Sequence, residues 1–192
     1  FSGAGGLTFG FYYNLINDSF EKKQNNTFLF ANEFDKQAAT AFSSNYKDIK
    51  MINEDIAKIS RKEILSIIGD NDVDLVIGGP PCQSFSTVGK RCFDDKAKLY
   101  KEYLRILKIT KPKIFLFENV KGMLSMHEQI EQRDQNNKLL KDENGKIITK
   151  PGRLIIDIIE DELSALTRKL GYTIVGKEVL NAVNYGVPQT RE

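Results

Sequence analysis

Histidine is nearly missing from this 192-residue sequence, with His127 its single instance. That scarcity argues against a Ser-His-Asp triad and against a multi-histidine metal site, so no metal is expected. His127 itself reads as a surface loop residue. Cysteine is almost as rare. Cys82 and Cys92 are the two present, too few for a disulfide scaffold or a four-ligand zinc site, and they fit a reducing, intracellular setting. Charge of one sign is also lacking: the net charge is +2 and the sequence pI about 8.4. Such a mildly basic chain does not announce a nucleic-acid partner by charge alone. Lysines gather in 90–101 and 138–150, where a solvated face is the default reading. No apolar run approaches the length of a membrane span and no signal peptide is visible, so no membrane partner is expected. No internal repeat or low-complexity stretch stands out. With 41% hydrophobic residues, the chain has enough apolar mass for one domain with a sizeable core.

The apolar run Val73-Asp74-Leu75-Val76-Ile77 rises into Gly78-Gly79-Pro80-Pro81-Cys82-Gln83-Ser84-Phe85-Ser86. This reads as a buried strand delivering a cysteine to a loop past the strand's carboxyl end, the edge where ligands collect in open α/β sheets. Pro80 and Pro81 fix two backbone angles directly before the sulfur. Cys82 is thus a candidate nucleophile, with a buried packing cysteine as the alternative. A second buried strand, Lys113 to Phe117, ends at Glu118, which is either a structural cap or a partner in chemistry. At the start, Gly3, Gly5 and Gly6 precede Leu7 to Ile16, a segment that suits a buried helix and a ligand at its N-terminus. Thr8 occupies the third glycine's place in Gly-x-Gly-x-x-Gly, which counts against nicotinamide cofactors.

The remaining elements follow from periodicity and punctuation. Thr27 to Ala31 reads as a strand ending near Glu33, an acidic position that binds ribose hydroxyls in Rossmann-like domains. Asp35 reads as the N-cap of a helix over Lys36 to Ser44. A helix is expected over Arg61 to Ile68, then a turn at 69–72. Lys96 to Ile109 is an amphipathic helix whose Leu99, Tyr103, Ile106 and Leu107 form one core-facing stripe. The polar stretch 125–152 is expected to be an insertion with a hairpin around Asn144-Gly145. Leu154 to Leu170 is a strong amphipathic helix capped by Gly171, and Thr173 to Val183 is strand-like. The fold expected is α/β and Rossmann-like, with a mostly parallel central sheet and helices on both faces.

Gly79-Pro-Pro-Cys-Gln-Ser-Phe-Ser86 resembles the catalytic motif of the cytosine-C5 DNA methyltransferases. Phe1-Ser-Gly-Ala-Gly-Gly6 resembles that family's cofactor motif, Phe117-Glu-Asn-Val120 its second catalytic motif, and Tyr185-Gly-Val-Pro-Gln-Thr-Arg191 its glutamine–arginine motif. All four occur in the family's order and span the chain from end to end. The resemblance implies S-adenosylmethionine as cofactor and S-adenosylhomocysteine as product. It implies a glycine loop of Phe1, Gly3, Ala4, Gly6 and Leu7, with Glu33 on the ribose and Phe34 against the adenine. Asp55 would receive the adenine amino group beside Ile56, with Glu54 the competing carboxylate, and Pro80 and Leu99 would complete the pocket. It also implies catalysis by Cys82, Glu118 and Arg191.

Carbon 5 of cytosine is a poor nucleophile. Thiolate addition at carbon 6 converts it into an enamine-like one, which is the logic of covalent catalysis. A free cysteine, pKa about 8.5, is mostly thiol near neutrality, so the site must favour the thiolate. Glu118 would act as donor toward N3, and burial of that carboxyl is expected, because desolvation favours its protonated form. Arg191 would hold the base or its phosphate. The target base must leave the duplex stack, and the loop 84–95, in which Cys92 reads as an incidental thiol, would close over the DNA.

Taken whole, residues 1–192 are expected to be a catalytic and cofactor-binding domain truncated at both ends. By that resemblance, the strand before the glycine loop, the second arginine of the last motif, the target-recognition region and the returning C-terminal segment would lie outside this stretch. Alone, this piece is expected to bind cofactor weakly and to methylate little. The implied setting is a prokaryotic restriction–modification system: a cytoplasmic, nucleoid-associated monomer acting on double-stranded DNA and paired in function with a restriction endonuclease. The alternatives are a transfer RNA cytosine-5 methyltransferase with a similar Pro-Pro-Cys-Gln motif, a non-catalytic DNA-binding homologue, and a nucleotide-dependent oxidoreductase.

Overall fold

The computed structural model describes residues 1–81 and 99–190. The chain divides into two compact units, Phe1–Pro80 with Lys101–Glu118, and Pro81–Tyr100 with Asn119–Glu192.

The first unit begins with helix α1 (Gly6–Tyr12), followed by strands β1 (Tyr13–Ile16) and β2 (Ser19–Lys22). The helix expected to reach Ile16 therefore stops four residues early, and Tyr13–Ile16 instead pairs antiparallel with Ser19–Lys22. Asn17 (φ 48) and Asp18 (φ 60) turn left-handed between them, the geometry of a tight hairpin turn that Asn and Asp tolerate. This hairpin is not buried: Leu15 and Phe20 are exposed.

Strand β3 (Ala31–Asn32) pairs in parallel with β4 (Met51–Ile52) across helix α2 (Lys36–Asn45). The expected strand over Thr27 to Ala31 is shorter as a ladder, because residues 27–30 have no strand partner among the described residues. Asp35 caps α2 as expected, accepting from the Ala38 amide at 2.8 Å. Helix α3 (Arg61–Ile68) starts in a capping box, in which Ser60 and Glu63 satisfy each other's backbone amides. Strand β5 (Leu75–Gly78) then runs parallel to β6 (Ile114–Phe117), with helix α4 (Tyr100–Thr110) as the crossover.

Apolar side chains from these strands go to two clusters. Tyr12, Phe42, Tyr46 and Ile49 pack with Phe28, Ala31 and Met51. Ile59, Ile64, Ile68, Ile106 and Ile109 pack with Leu29, Ile52, Val73 and Val76. Since neighbours in a strand point to opposite faces, Met51 and Ile52 divide between helices on either side, the layering of an α/β fold. The parallel strands form two separate pairs rather than one continuous ladder. A cavity of about 520 Å³, lined by 27–32 on one side and 72–78 on the other, separates them. The β6 strand expected to be buried alternates instead, with Ile114 and Leu116 exposed.

The second unit holds a 3-10 turn (Lys121–Ser125), strands β7 (His127–Glu131) and β8 (Thr149–Leu154), helix α5 (Ile155–Leu170) and a 3-10 turn (Ala182–Tyr185). Along α5 the buried positions are Ile155, Ile159, Leu163 and Leu166, one stripe at helical spacing. Gly171, at φ 81, follows it in the left-handed region expected of a C-terminal glycine. His127 lies on strand β7, not in a loop, and its Nδ1 is 2.8 Å from the Gly152 carbonyl.

Between β7 and β8 the chain repeats itself, contrary to the sequence reading. Arg133–Leu140 and Lys141–Ile148 each build the same turn. Asp134 Oδ1 accepts from the amides of Asn136 and Lys138, and Asp142 Oδ1 from those of Asn144 and Lys146, all at 2.9 Å. The left-handed positions are Asn137 (φ 64) and Gly145 (φ 77). The amides of Leu140, Ile148 and Gln132 donate in turn to the carbonyls of Gln132, Leu140 and Ile148, closing a ring of bonds, each 2.9 Å. The hairpin expected at Asn144-Gly145 is thus one of two. The strand expected over Thr173 to Val183 is not formed: 173–180 has no ladder partner among the described residues, and Val175 is 97% exposed.

Candidate active site

The glycine loop is held from beneath and from its mouth. The buried Tyr46 hydroxyl donates to the Gly5 carbonyl at 2.7 Å, and burial pushes its pKa up, so it stays a neutral donor. Gly5 is left-handed (φ 96), and a β-carbon there would lie 2.2 Å from the Tyr46 ring. Only glycine fits. At the mouth, the Ser2 amide donates to the Asn32 carbonyl (3.0 Å) and the Gly3 amide to Glu33 Oε2 (2.8 Å). Among the described residues, nothing lies within 4 Å of where a β-carbon would be on Gly3 (φ 55) or Gly6. Ala4 is exposed, while Phe1 and Leu7 are half-buried.

Glu33 thus ties the loop to the end of β3, and its Oε1 accepts from the Asp35 amide at 3.0 Å. Each carboxylate oxygen keeps a lone pair for a further donor. Beside it, Phe34 is 72% exposed and offers an aromatic face. Asn53 fixes this stretch by donating to the carbonyls of Glu33 (2.9 Å) and Phe34 (3.0 Å). Asn32, buried, donates to the carbonyls of Ile52 and Glu54. Asp55 uses one carboxylate oxygen to cap the turn Ile56–Lys58 through the Ala57 amide (2.9 Å). Ile56 packs against the isoleucine cluster, and its carbonyl accepts from Arg105 Nη2 at 2.5 Å. Glu33 and Asp55 thus offer acceptor oxygens and Phe34 an exposed ring face, groups that could hold a ligand with hydroxyl donors and a flat ring. Sequence reasoning passed over Tyr46, Asn53 and Asn32, whose partners lie 41, 19 to 20 and 20 to 22 residues away.

Near this loop α1 touches β5. Strands β5 and β6 end in register, Gly78 opposite Phe117, and the Glu118 amide donates to the Gly78 carbonyl at 3.0 Å. That bond sets Glu118 beside Gly79 and the Pro80 that leads toward Cys82. Glu118 is exposed, where burial was expected; a strand end at the sheet's edge leaves it open to solvent. Tyr103, read as part of a core stripe, also has a polar task. Its hydroxyl reaches the carbonyls of Leu116 (2.9 Å) and Val76 (3.2 Å), and its ring packs edge-on against Phe117. Burial pushes its pKa well up, which keeps it a donor. Leu99, half-buried, belongs to the second unit. Cys82, Arg191, Cys92 and the loop 84–95 lie outside the described residues.

The model of the C-5 cytosine-specific DNA methylase family matches residues 1–192. The chain belongs to this family. The Type II methyltransferase M.FnuDI of Fusobacterium nucleatum is 37% identical over 194 residues, covering 100% of this chain and 43% of that protein. M1.HphI of Haemophilus parahaemolyticus, also a Type II methyltransferase, is 32% identical over 195 residues, covering 100% and 42%. The chain thus spans less than half the length of these two methylases. Among solved structures, the Dnmt2 methyltransferase of S. pombe superposes with a TM-score of 0.58 at 17% identity, over 99% of this chain and 44% of that one. That likeness establishes the methyltransferase fold. Among the described residues of this chain, no helix is long and apolar enough to cross a membrane.

Proposed function

We propose that this chain carries the catalytic and cofactor-binding part of an S-adenosylmethionine-dependent DNA cytosine-5 methyltransferase, working beside a restriction endonuclease in a Type II system. The observation that carries this is the in-register parallel ending of β5 and β6, with the Glu118 carboxylate against Gly79, three residues before Cys82 in the sequence.

Glu33 would accept the cofactor's ribose hydroxyls, Phe34 would stack on its adenine, and Asp55 would receive the adenine amino group with its remaining acceptor capacity. S-adenosylmethionine, when bound, supplies the electrophilic methyl group that carbon 5 accepts. Cys82, as thiolate, adds to carbon 6 of a cytosine turned out of the duplex, and the displaced π-electrons move onto N3 and O2. Glu118, desolvated by the bound base, donates its proton at N3 and takes it back later. Arg191 adds positive charge near O2 or the flanking phosphate. Transfer of the carbon 5 proton to solvent water, with the carbon 6–sulfur bond breaking to release Cys82 as thiolate, then restores the 5,6 double bond.

The test uses the full-length protein with radiolabelled S-adenosylmethionine, offered separately to double-stranded DNA and to transfer RNA. Label is expected at carbon 5 of DNA cytosine, and Cys82→Ser abolishes it. Label in RNA alone would keep the chemistry and overturn the substrate. A folded, cofactor-binding protein that labels neither would overturn the enzymatic reading.

A further inference from the structure

Glycine at 78 and 79 is not explained by the backbone. Neither residue is among those with positive φ, so any L-residue could adopt their conformations. What excludes a side chain is what lies against each one. A β-carbon on Gly78 would come within 2.9 Å of the Tyr103 ring, and one on Gly79 within 2.6 Å of Glu118 Oε2. Gly78 ends β5 and Gly79 follows it, so the pair accepts an aromatic ring at one residue and a carboxylate at the next.

We propose that Gly79 is a positioning residue for the reaction, its missing side chain being the seat in which the Glu118 carboxylate rests against the backbone leading to Cys82. This rests on the role proposed for Glu118. The two glycines differ in what a substitution would disturb. The Tyr103 ring is fixed by hydroxyl contacts to two strand carbonyls and by Phe117, so it cannot yield cheaply. The Glu118 carboxylate is the free end of a flexible side chain and can swing away. Other atoms near the would-be β-carbon of Gly79 are Glu118's own carbonyl oxygen at 3.6 Å and carboxyl carbon at 3.8 Å. Among the described residues, a methyl group there displaces the carboxylate and little else. The dipeptide thus separates two duties: Gly78 admits the brace of the strand ends, and Gly79 admits the proton donor.

The experiment compares full-length enzyme carrying Gly79→Ala, Glu118→Gln, and both. Melting, S-adenosylmethionine affinity and DNA methylation turnover are measured for each. Gly79→Ala is expected to melt with the wild type, to bind cofactor unchanged, and to lose turnover on the order of 100-fold, the cost of misplacing a catalytic group by about an ångström. The double variant is expected to be no slower than Glu118→Gln alone, because residues acting through one group are not additive. Full turnover in Gly79→Ala, or losses that multiply in the double variant, would overturn the proposal while leaving Glu118 its role. A melting transition lowered by several degrees in Gly79→Ala would also overturn it, since the seat would then be a packing requirement. Wild-type turnover in Glu118→Gln would overturn both the seat and the role assigned to the carboxylate.

Discussion

At the scale of single residues, the glycines of this chain are set apart by their neighbours more than by their motif. Gly5 is both left-handed and pressed against Tyr46, whereas Gly3 and Gly6 stand in open space. Gly5→Ala therefore combines a strained backbone with a ring that must move, and is expected to cost at least about 2 kcal/mol in urea unfolding. An equal stability for the variant would mean that Tyr46 has room to retreat. Gly6→Ala is expected to be near neutral by the same measure. The sequence singles out Gly3 and Glu33, because a carboxylate at a strand end beside a glycine turn has a known use, and the structure joins the two by a hydrogen bond. It could not reveal Tyr46 or Tyr103. Tyr103 lies within an apolar stripe that predicts core, Tyr46 stands in a polar stretch just past the end of α2, and each sends its hydroxyl to a carbonyl far along the chain.

At the scale of elements, those with complete local signals were legible: α2 with its Asp35 cap, α3 with its capping box, and α5 ending at Gly171. The β1–β2 hairpin was not, since Tyr13, Leu15 and Ile16 continue the apolar spacing of α1 and only the Asn17-Asp18 turn breaks it. That hairpin is tied to the unit by charge and hydrogen bonding. Asp48 accepts from both Lys22 of β2 and Tyr12 of α1, and these contacts hold its carboxyl below its ordinary value of 3.8. A depressed folded-state value contributes stability that is fully present above the unfolded value and is lost as pH falls through the folded one. Asp48→Asn is therefore expected to destabilise above about pH 4 and to match the wild type progressively below it. The Asp48 and Lys22 side chains are largely exposed, so added salt should shrink the difference. A gap between the two proteins that persists unchanged into strong acid would show that the carboxylate is not its source.

At the scale of the whole molecule, the α/β class, the methyltransferase fold and the family were all carried by the order of four short motifs. The division of the parallel strands into two pairs was not, because strand pairing is decided by which edges meet, and sequence periodicity records faces instead. The cavity between 27–32 and 72–78 leaves β3 and β5 each with a strand partner on one side only, among the described residues. Backbone amides and carbonyls along such an edge are a template for any extended chain that reaches them. This 192-residue stretch, prepared by itself, is accordingly expected to behave as a sticky colloid. Light scattering should rise steeply with protein concentration without settling at a defined oligomer, and a short apolar peptide in extended form should suppress it. A solution that scatters as a single species at every concentration would mean that the open edges are sealed in some other way. If scattering does rise as expected, the chain's behaviour in solution is governed less by its net charge of +2 than by the gap between its two strand pairs.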